Sequence, residues 1–347
     1  MDLKKRFFIV IISITHFIFN TKCIAQDLHF SQFNRTPLFL NPALSGAFEG
    51  QIRVMANFRN QWQAIPVPYN SISLSADYNL TFETSRDRVG FGAQIVSDRA
   101  GDGKYTTTVA SFSPAYHYTF GGRNPASLSL GAQVNFTQRS YDPNKLRFDN
   151  QFNGDYFDPN IPINEQFDRT QLSFFDFGIG LNYNQVFRED QIFNVGFSIQ
   201  HLNQTNQNFL NKSSNALLQR KFNLYASADF VIWKNIALMP LSFYQWQDNK
   251  NEWVMGLGVK LDLAKGSDDE KSSITFGMSH RIGDAWIPWF HYEKKVFTAQ
   301  LSYDFNSSPL SIASSNYGGL ELSIGYLIKS KDQPSKGEPN FCPYIWY

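Results

Sequence analysis

Residues 71–78 read Ser-Ile-Ser-Leu-Ser-Ala-Asp-Tyr, and this stretch decides the fold. Successive side chains of an extended strand point to opposite faces, so strict alternation of polar and apolar residues predicts a β-strand with two unlike sides. One side here carries Ile72, Leu74, Ala76 and Tyr78, and the other carries three serines and Asp77. The same period returns along the chain, in residues 127–136, 177–183, 222–230, 299–305 and 320–326. The sequence therefore predicts an all-β protein.

The polar side of these strands is too polar for an ordinary protein core, because it is rich in Ser, Asn, Gln, Asp and Gly. Many of the alternating runs have nine or more residues, enough to cross a bilayer when tilted. Because backbone groups in lipid must all be hydrogen-bonded, such a sheet has to close on itself. We therefore expect a closed antiparallel transmembrane β-barrel. A soluble β-sandwich, whose strands also alternate, is the alternative.

About fourteen strands can be read from the pattern, and an even number is typical of a single-chain bacterial barrel. They lie near residues 51–59, 71–80, 88–97, 104–119, 127–139, 172–185, 191–201, 220–232, 236–247, 251–263, 272–282, 286–293, 297–305 and 319–329.

The strands divide the chain into four regions. Residues 1–25 have a basic start, an apolar stretch and a small residue at Ala25, which predicts a signal peptide cleaved after Ala25. An uncleaved membrane anchor is the alternative. Residues 26–50 form an N-terminal segment that we expect in the periplasm or in the lumen. Residues 51–329 form the barrel, and residues 330–347 form a C-terminal tail.

The composition excludes some classes of function. The net charge is +1, so the chain lacks the basic field that nucleic-acid binding requires. Aromatic residues make up 16% of a chain whose mean hydropathy is only −0.33, which favours alternation over continuous apolar runs. Of the two cysteines, Cys23 would leave with the signal peptide, so Cys342 is predicted to form no internal disulfide.

The longest connections, about 140–171 and 202–219, are the fifth and the seventh. If the first strand starts in the periplasm, odd-numbered connections face outside, where barrel loops are longer. We expect these two loops to be the surfaces that contact a partner. The N-terminal segment and the C-terminal tail are expected to face the periplasm.

Charged residues on the polar side of the strands are expected to point into the lumen. Inward charges in a barrel usually pair with one another or with a plug. The N-terminal segment, with its proline-fixed turns, is the candidate plug. The expected lumen charges are Arg53, Arg59, Asp77, Asp229, Asp262 and Asp304.

The sequence predicts no enzyme, metal site or cofactor. A hydrolase needs a nucleophile beside a histidine, but Ser279 and His280 are neighbours on one strand and therefore point to opposite faces. The remaining histidines are scattered over separate segments. The acidic residues of the fifth loop lack the spacing of an EF-hand. A calcium site there is the alternative to a solvated loop.

The start of the mature chain carries several short motifs in order. Residues 26–33 read Gln-Asp-Leu-His-Phe-Ser-Gln-Phe, and residues 41–43 read Asn-Pro-Ala. These residues resemble the opening motifs of the PorP/SprF family. Residues 58–62, Phe-Arg-Asn-Gln-Trp, resemble its aromatic-Arg-Asn-Gln-Trp signature, and Asp77 falls at its Ser-x-Asp position. Phe33 departs from the Tyr that the family often has.

The resemblance implies a non-enzymatic component of the type IX secretion system in the outer membrane of a Gram-negative bacterium. It implies a role in secretion or surface anchoring of a large substrate, such as a gliding-motility adhesin. The implied partners are outer-membrane lipid, the adhesin or its C-terminal domain, and periplasmic components of the secretion machine. A passive porin or solute transporter is the alternative.

Two groups of residues are candidate partner contacts. For the first group a structural role at the end of a strand, where Trp62 would anchor at the membrane interface, is favoured over a partner contact. The candidates are Arg59, Asn60, Gln61 and Trp62, together with Phe157, Asp158 and Pro159 of the long fifth loop.

Overall fold

The computed structural model describes residues 27–61, 68–82, 84–122, 124–158, 160–162, 169–188, 191–209, 216–264, 272–308 and 317–329. Fourteen antiparallel strands close into one barrel, in which each strand pairs with its neighbours in sequence and the first pairs with the last. This confirms the predicted fold class. The strands are β1 (Ile52–Gln61), β2 (Tyr69–Phe82), β3 (Ser85–Ala100), β4 (Tyr105–Phe120), β5 (Ala126–Ser140), β6 (Gln171–Arg188), β7 (Gln191–Gln200), β8 (Lys221–Trp233), β9 (Ile236–Gln247), β10 (Lys250–Ala264), β11 (Ser272–Arg281), β12 (Ala285–Lys294), β13 (Phe297–Asn306) and β14 (Tyr317–Ile328).

The alternation in sequence becomes an inside and an outside of the barrel. On β2, Ser73 is 1% exposed and Leu74 is 55% exposed, because serine faces the filled lumen and leucine faces outward. The outward row continues round the wall as exposed Leu, Ile, Val and Phe side chains. Such a band is the surface that a barrel presents to lipid.

The two ends of the barrel differ. The long connections 141–170 and 201–220 lie at one end, and short connections such as 234–235 and 295–296 lie at the other. Long loops mark the extracellular end of an outer-membrane barrel. Short helices lie outside the wall's strands: α1 (Pro37–Leu40) and the 3₁₀ helices Phe33–Arg35, Pro42–Leu44, Pro143–Lys145 and Asp149–Gln151. Among the described residues, no helix is long and apolar enough to cross a membrane.

Three prolines interrupt the hydrogen-bond ladder of the wall. Proline has no N–H to donate, so strand pairing lapses beside it. Pairing skips Pro114 between β4 and β5, Pro240 between β8 and β9, and Pro288 between β12 and β13. The pairing resumes in register on both sides of each gap, so the barrel stays closed.

The outward placement of Leu74 predicts a strong penalty for charge. Leu74→Arg should lower the free energy of unfolding by about 2–4 kcal/mol, because a cation at the middle of the lipid band loses its hydration. Gln138→Arg, at the polar outer end of β5, is the matched control and should change it by no more than about 1 kcal/mol. Urea titration in lipid vesicles measures both. Equal effects at the two positions would contradict the assigned lipid band.

Candidate functional site, a lumen filled by residues 27–50

The N-terminal segment, residues 27–50, runs through the lumen from one end of the barrel to the other. At the extracellular end, the backbone N–H of Asp27 donates to Gln247, the last residue of β9 (3.1 Å). At the opposite end, the N–H of Gln51 donates to the carbonyl of Ile328, the last residue of β14 (2.9 Å). The wall encloses the segment between these two contacts.

The segment has its own local structure. Pro37 and Pro42 each stand at the first position of a short helix, where a missing N–H costs nothing and the fixed φ is already helical. Between them, the side chain of Asn41 caps the second helix by accepting from the N–H of Ala43 (2.9 Å). These features give residues 36–46 a compact shape in place of an extended one.

Strand glycines form a trough in which this compact part lies. A Cβ at Gly90 would stand 1.8 Å from the carbonyl oxygen of Ser45, and one at Gly131 would stand 2.3 Å from the nitrogen of Ala43. A Cβ at Gly180 would stand 1.8 Å from Asn41. Only residues without a side chain allow backbone to approach the wall so closely.

Polar side chains of the wall bond the carbonyls of the segment. Gln133 donates to the carbonyl of Leu38 (3.0 Å), and Ser198 and Asn223 both donate to that of Leu40 (2.8 and 3.0 Å). Buried backbone groups without partners are costly, so an irregular segment inside a barrel needs such donors. This explains why the inward face is too polar for an ordinary core.

One side of the lumen is apolar instead. Phe33 stacks on Phe243 of β9 with ring centroids 4.8 Å apart. Around this pair lies a buried cluster that joins the segment to β8, β9, β10 and β12: Leu40, Leu44, Ala47, Tyr225, Met239, Leu241, Val254 and Trp289. The cavity left beside Phe33 and Phe243 has a volume of about 10 Å³, room for about one water molecule.

A buried charge cluster holds the extracellular half of the segment. Asp304 accepts from Arg59 (3.1 Å) and Arg281 (3.2 Å), and also from the hydroxyl of Ser31 (2.7 Å). Glu321 accepts from the backbone N–H of Ser31 (2.8 Å). Since these groups are withdrawn from water, removing one partner would leave another charge buried and unpaired.

A second ion pair holds the periplasmic end. Arg53 and Asp77 face each other across β1 and β2, with Nη2 and Oδ2 2.7 Å apart. Asp77 also accepts from the N–H of Gly46 (2.8 Å), and the guanidinium of Arg53 lies 4.7 Å from the centre of the Phe48 ring. Both charges therefore contact the segment as well as each other.

The extracellular end of the segment is tied to the start of the connection 201–220. His201 lies between two carboxylates, with Nε2 2.6 Å from Asp27 and Nδ1 2.9 Å from Asp176. Burial alone would lower the pKa of His201, but the two negative charges outweigh it and raise the pKa to about 9. Burial alone would raise the pKa of Asp27, but the charge of His201 lowers it below its ordinary value.

The structure places the expected lumen charges as follows. Arg53, Asp77 and Asp304 are buried in the lumen and paired, as described above. Asp229 and Asp262 are half-buried near the periplasmic ends of β8 and β10.

The candidate partner contacts on β1 separate into different environments. Arg59 is 1% exposed and bonds the carbonyl of His29, because odd-numbered residues of β1 face the lumen. Asn60 faces the other way and donates to Asn70 (2.6 Å). Gln61 ends the strand and is half-buried. Trp62 lies outside the described residues. A surface contact through Arg59 is therefore incompatible with its position in this structure.

The fifth loop carries a tip that sequence reasoning missed. Phe152 is 55% exposed and Tyr156 is 61% exposed, at the two sides of a turn in which Asn153 accepts from the N–H of Tyr156 (3.0 Å). Phe157 supports this turn beneath the guanidinium of Arg147, which lies 5.1 Å from the ring centre. Asp158 accepts from Asn160 (3.0 Å), and Pro159 lies outside the described residues. Nothing in the spacing of this polar loop singled out these two aromatic residues.

The serine and histidine weighed as a hydrolase pair lie apart. Ser279 faces inward and accepts from the indole N–H of Trp289 (3.1 Å), whereas His280 stacks on Trp286 with ring centres 4.1 Å apart. Within the described ranges, no group of three His, Cys, Asp or Glu side chains is arranged so that it could hold a metal ion. Ser279 and His280 therefore do not form a nucleophile and base pair. The arrangement of the segment and wall can close the lumen and present the loops.

Comparisons place the chain among known proteins. The sequence model of the family described as Type IX secretion system membrane protein PorP/SprF matches residues 23–326. No curated protein matches the chain.

Several solved structures are similar. One is the Ralstonia pickettii toluene transporter TbuX, with 9% identity, a TM-score of 0.48, and coverage of 84% of this chain and 92% of that chain. A Pseudomonas aeruginosa FadL homologue has 8% identity, a TM-score of 0.46, and coverage of 84% and 94%. The CymD monoaromatic hydrocarbon channel has 10% identity, a TM-score of 0.45, and coverage of 84% and 92%.

The glycine trough predicts that bulk on the wall displaces the segment. Gly131→Val should lower the free energy of unfolding by about 1–3 kcal/mol, because the new side chain overlaps the backbone of Ala43. Gly122→Val is the matched control, since a Cβ there meets no atom within 4 Å. Urea titration of the refolded barrels measures both. A Gly131→Val protein as stable as its control would contradict the trough.

The tie at His201 predicts a pH dependence. The pKa of His201 is raised from its ordinary 6.5, so its contribution to stability is complete below about pH 6.5 and is lost as pH rises through about 9. The contribution of Asp27 to stability is present above its ordinary pKa of 3.8 and declines in acid. Hydrogen exchange of residues 27–32 should therefore accelerate between about pH 6.5 and 9, beyond the intrinsic rise.

His201→Gln is the control for this tie, because glutamine keeps a polar side chain but does not titrate. The extra acceleration should be absent in that variant. If wild type and His201→Gln show the same pH dependence, other charges near the mouth control the segment, and the assignment to His201 is wrong.

Proposed function

Since the chain belongs to the PorP/SprF family of type IX secretion system membrane proteins, we propose that it works as a closed outer-membrane barrel that assists secretion or surface anchoring of a large substrate. The proposed substrate class is an adhesin such as those of gliding motility. In this proposal the barrel is not an enzyme and not the conduit, because its lumen is already occupied by residues 27–50. It holds partners at its extracellular loops.

The observation that carries this proposal is the filled lumen. Hydrogen bonds, a glycine trough, three ion-pair sites and an apolar cluster all fix the segment, so the described residues leave no path for a polypeptide beside it. A barrel of this kind offers a rigid rim. Among the described residues of the extracellular end, the fifth-loop tip exposes the aromatic side chains of Phe152 and Tyr156.

The tip has the properties of a protein-binding site. Its turn is ordered by Asn153, and its base is ordered by Gln151, which is 4% exposed and accepts from the N–H of Phe148 (3.2 Å). Exposed aromatic side chains on a preordered backbone bind a partner at low entropic cost. We propose that the adhesin or its C-terminal domain contacts this tip, with Phe157 and Asp158 as positioning residues.

Few parts of the chain are left to contact periplasmic components. With residues 27–50 inside the barrel, contact with periplasmic components falls to the short turns and to the C-terminal tail. The tail, residues 330–347, lies outside the described residues.

Co-purification from native membranes tests the proposal. Tagged wild-type protein should retain a large secreted protein, and Phe152→Ser/Tyr156→Ser should reduce the retained amount about tenfold or more, as loss of an aromatic hot spot does. Trp233→Ser is the matched control, because Trp233 is equally prominent at the periplasmic end. Absence of any secreted protein from the wild-type sample would contradict the proposed function. Unchanged retention by the double variant would contradict the contact at the tip.

A passive porin or solute transporter is the rival. The filled lumen does not favour a passive pore. The conductance of the barrel in a planar bilayer distinguishes a pore from the closed barrel that we propose.

A further inference from the structure

Three cations meet on the extracellular side of the β3–β4 hairpin. Arg99 is the last but one residue of β3, and Lys104 closes the turn into β4. Lys145 belongs to the fifth loop, yet lies beside them. The backbone N–H of Asp142 donates to the carbonyl of Gly103 (2.8 Å), and Leu146 packs directly against Gly103. These two contacts bring Lys145 to the hairpin.

The protein offsets these three charges only in part. Among the described carboxylates, none forms an ion pair with Arg99, Lys104 or Lys145. Asp142 is near and offsets part of the charge, and Asp102 stands in the same turn. Contact with the Lys145 ammonium, followed by the charge of Arg99, lowers the pKa of Lys104. Like charges held together in this way attract an anion that bridges them.

The position of Arg99 shows which anion fits. Outward side chains of β3 run from Val89 through Phe91, Ala93 and Ile95 to Ser97 and then Arg99. Arg99 therefore stands at the extracellular end of the row of side chains that faces the lipid tails, at the level of the headgroups. A ligand that meets this row and the cations together has an apolar body and an anionic head.

We propose that Arg99, Lys104 and Lys145 form a binding site for the phosphorylated headgroup of a lipid in the outer leaflet. Its acyl chains lie along the outward face of β3 and β4, where Phe91 and Phe112 stack with ring centres 6.4 Å apart. The site holds the base of the fifth loop against the membrane surface. It does not depend on the proposed function.

Lipid binding to the purified full chain in detergent tests this site. Native mass spectrometry measures the affinity for lipid A with its phosphates, for enzymatically dephosphorylated lipid A, and for inorganic phosphate. Arg99→Gln/Lys104→Gln/Lys145→Gln should weaken binding of phosphorylated lipid A by about 10-fold or more. Lys234→Gln/Lys294→Gln/Lys295→Gln removes three cations at the periplasmic end and should change the affinity less than about twofold.

Each other outcome overturns the proposal. Equal binding by wild type and the outer triple variant would show that the cations do not form the site. Equal binding of dephosphorylated lipid A would show that the headgroup charge is irrelevant. Displacement of lipid A by an equal concentration of inorganic phosphate would show an anion site without lipid. Heat-modifiable migration in gels confirms that each variant is a folded barrel.

Discussion

An irregular stretch of backbone enclosed in a membrane barrel must find a hydrogen-bond partner for each of its polar groups, and the rest of the structure follows from this constraint. Residues 36–46 turn twice within the lumen, and about half of their carbonyls, including those of Leu38 and Leu40, accept no backbone hydrogen bond within the segment. The wall supplies amides and hydroxyls at the positions where these carbonyls point, as Gln133 does for Leu38 and Asn223 does for Leu40. It also removes side chains at Gly90 and Gly131, where the backbones meet. A lumen built in this way fits one segment and is filled by it.

The segment in the lumen is tied to the loops and strands at the extracellular end of the barrel. The extracellular end of the segment is bound through His201 to the connection 201–220, and through Asp304 to β13. The same end of the barrel carries the aromatic tip of the fifth loop and the cations of the β3–β4 hairpin. Loops on such a base are tied to a fixed support. This arrangement suits the retention of a substrate at the cell surface that we propose.

Nearly all strands of the barrel wall could be predicted from the sequence, because alternation with period two is a local signal that each strand repeats. It also identified Arg53, Asp77 and Asp304 as inward charges, since their parity follows from the apolar neighbours. The alternation along β1 also predicts that Arg59 points inward, whereas the motif that contains it suggested a contact with a partner. The segment's location inside the barrel remained one of two possibilities, because proline-fixed turns do not show what surrounds them.

The partners of these residues lay beyond sequence reasoning. Asp304 meets Arg59 across 245 positions of chain, so the pair exists only once the barrel closes. The glycines of the trough look like weak strand positions until the segment lies against them. Phe152 and Tyr156 depend on a turn whose shape comes from Asn153 and Gln151, and no period marks such a loop.

Planar-bilayer recording of the purified barrel tests the closed lumen most directly. Wild-type protein should show almost no steady conductance, and a variant lacking residues 27–45 should show large, long-lived channels if it folds as a heat-modifiable barrel. Robust open channels from the wild-type protein, with no increase on deletion of the segment, would contradict the account and favour a passive pore.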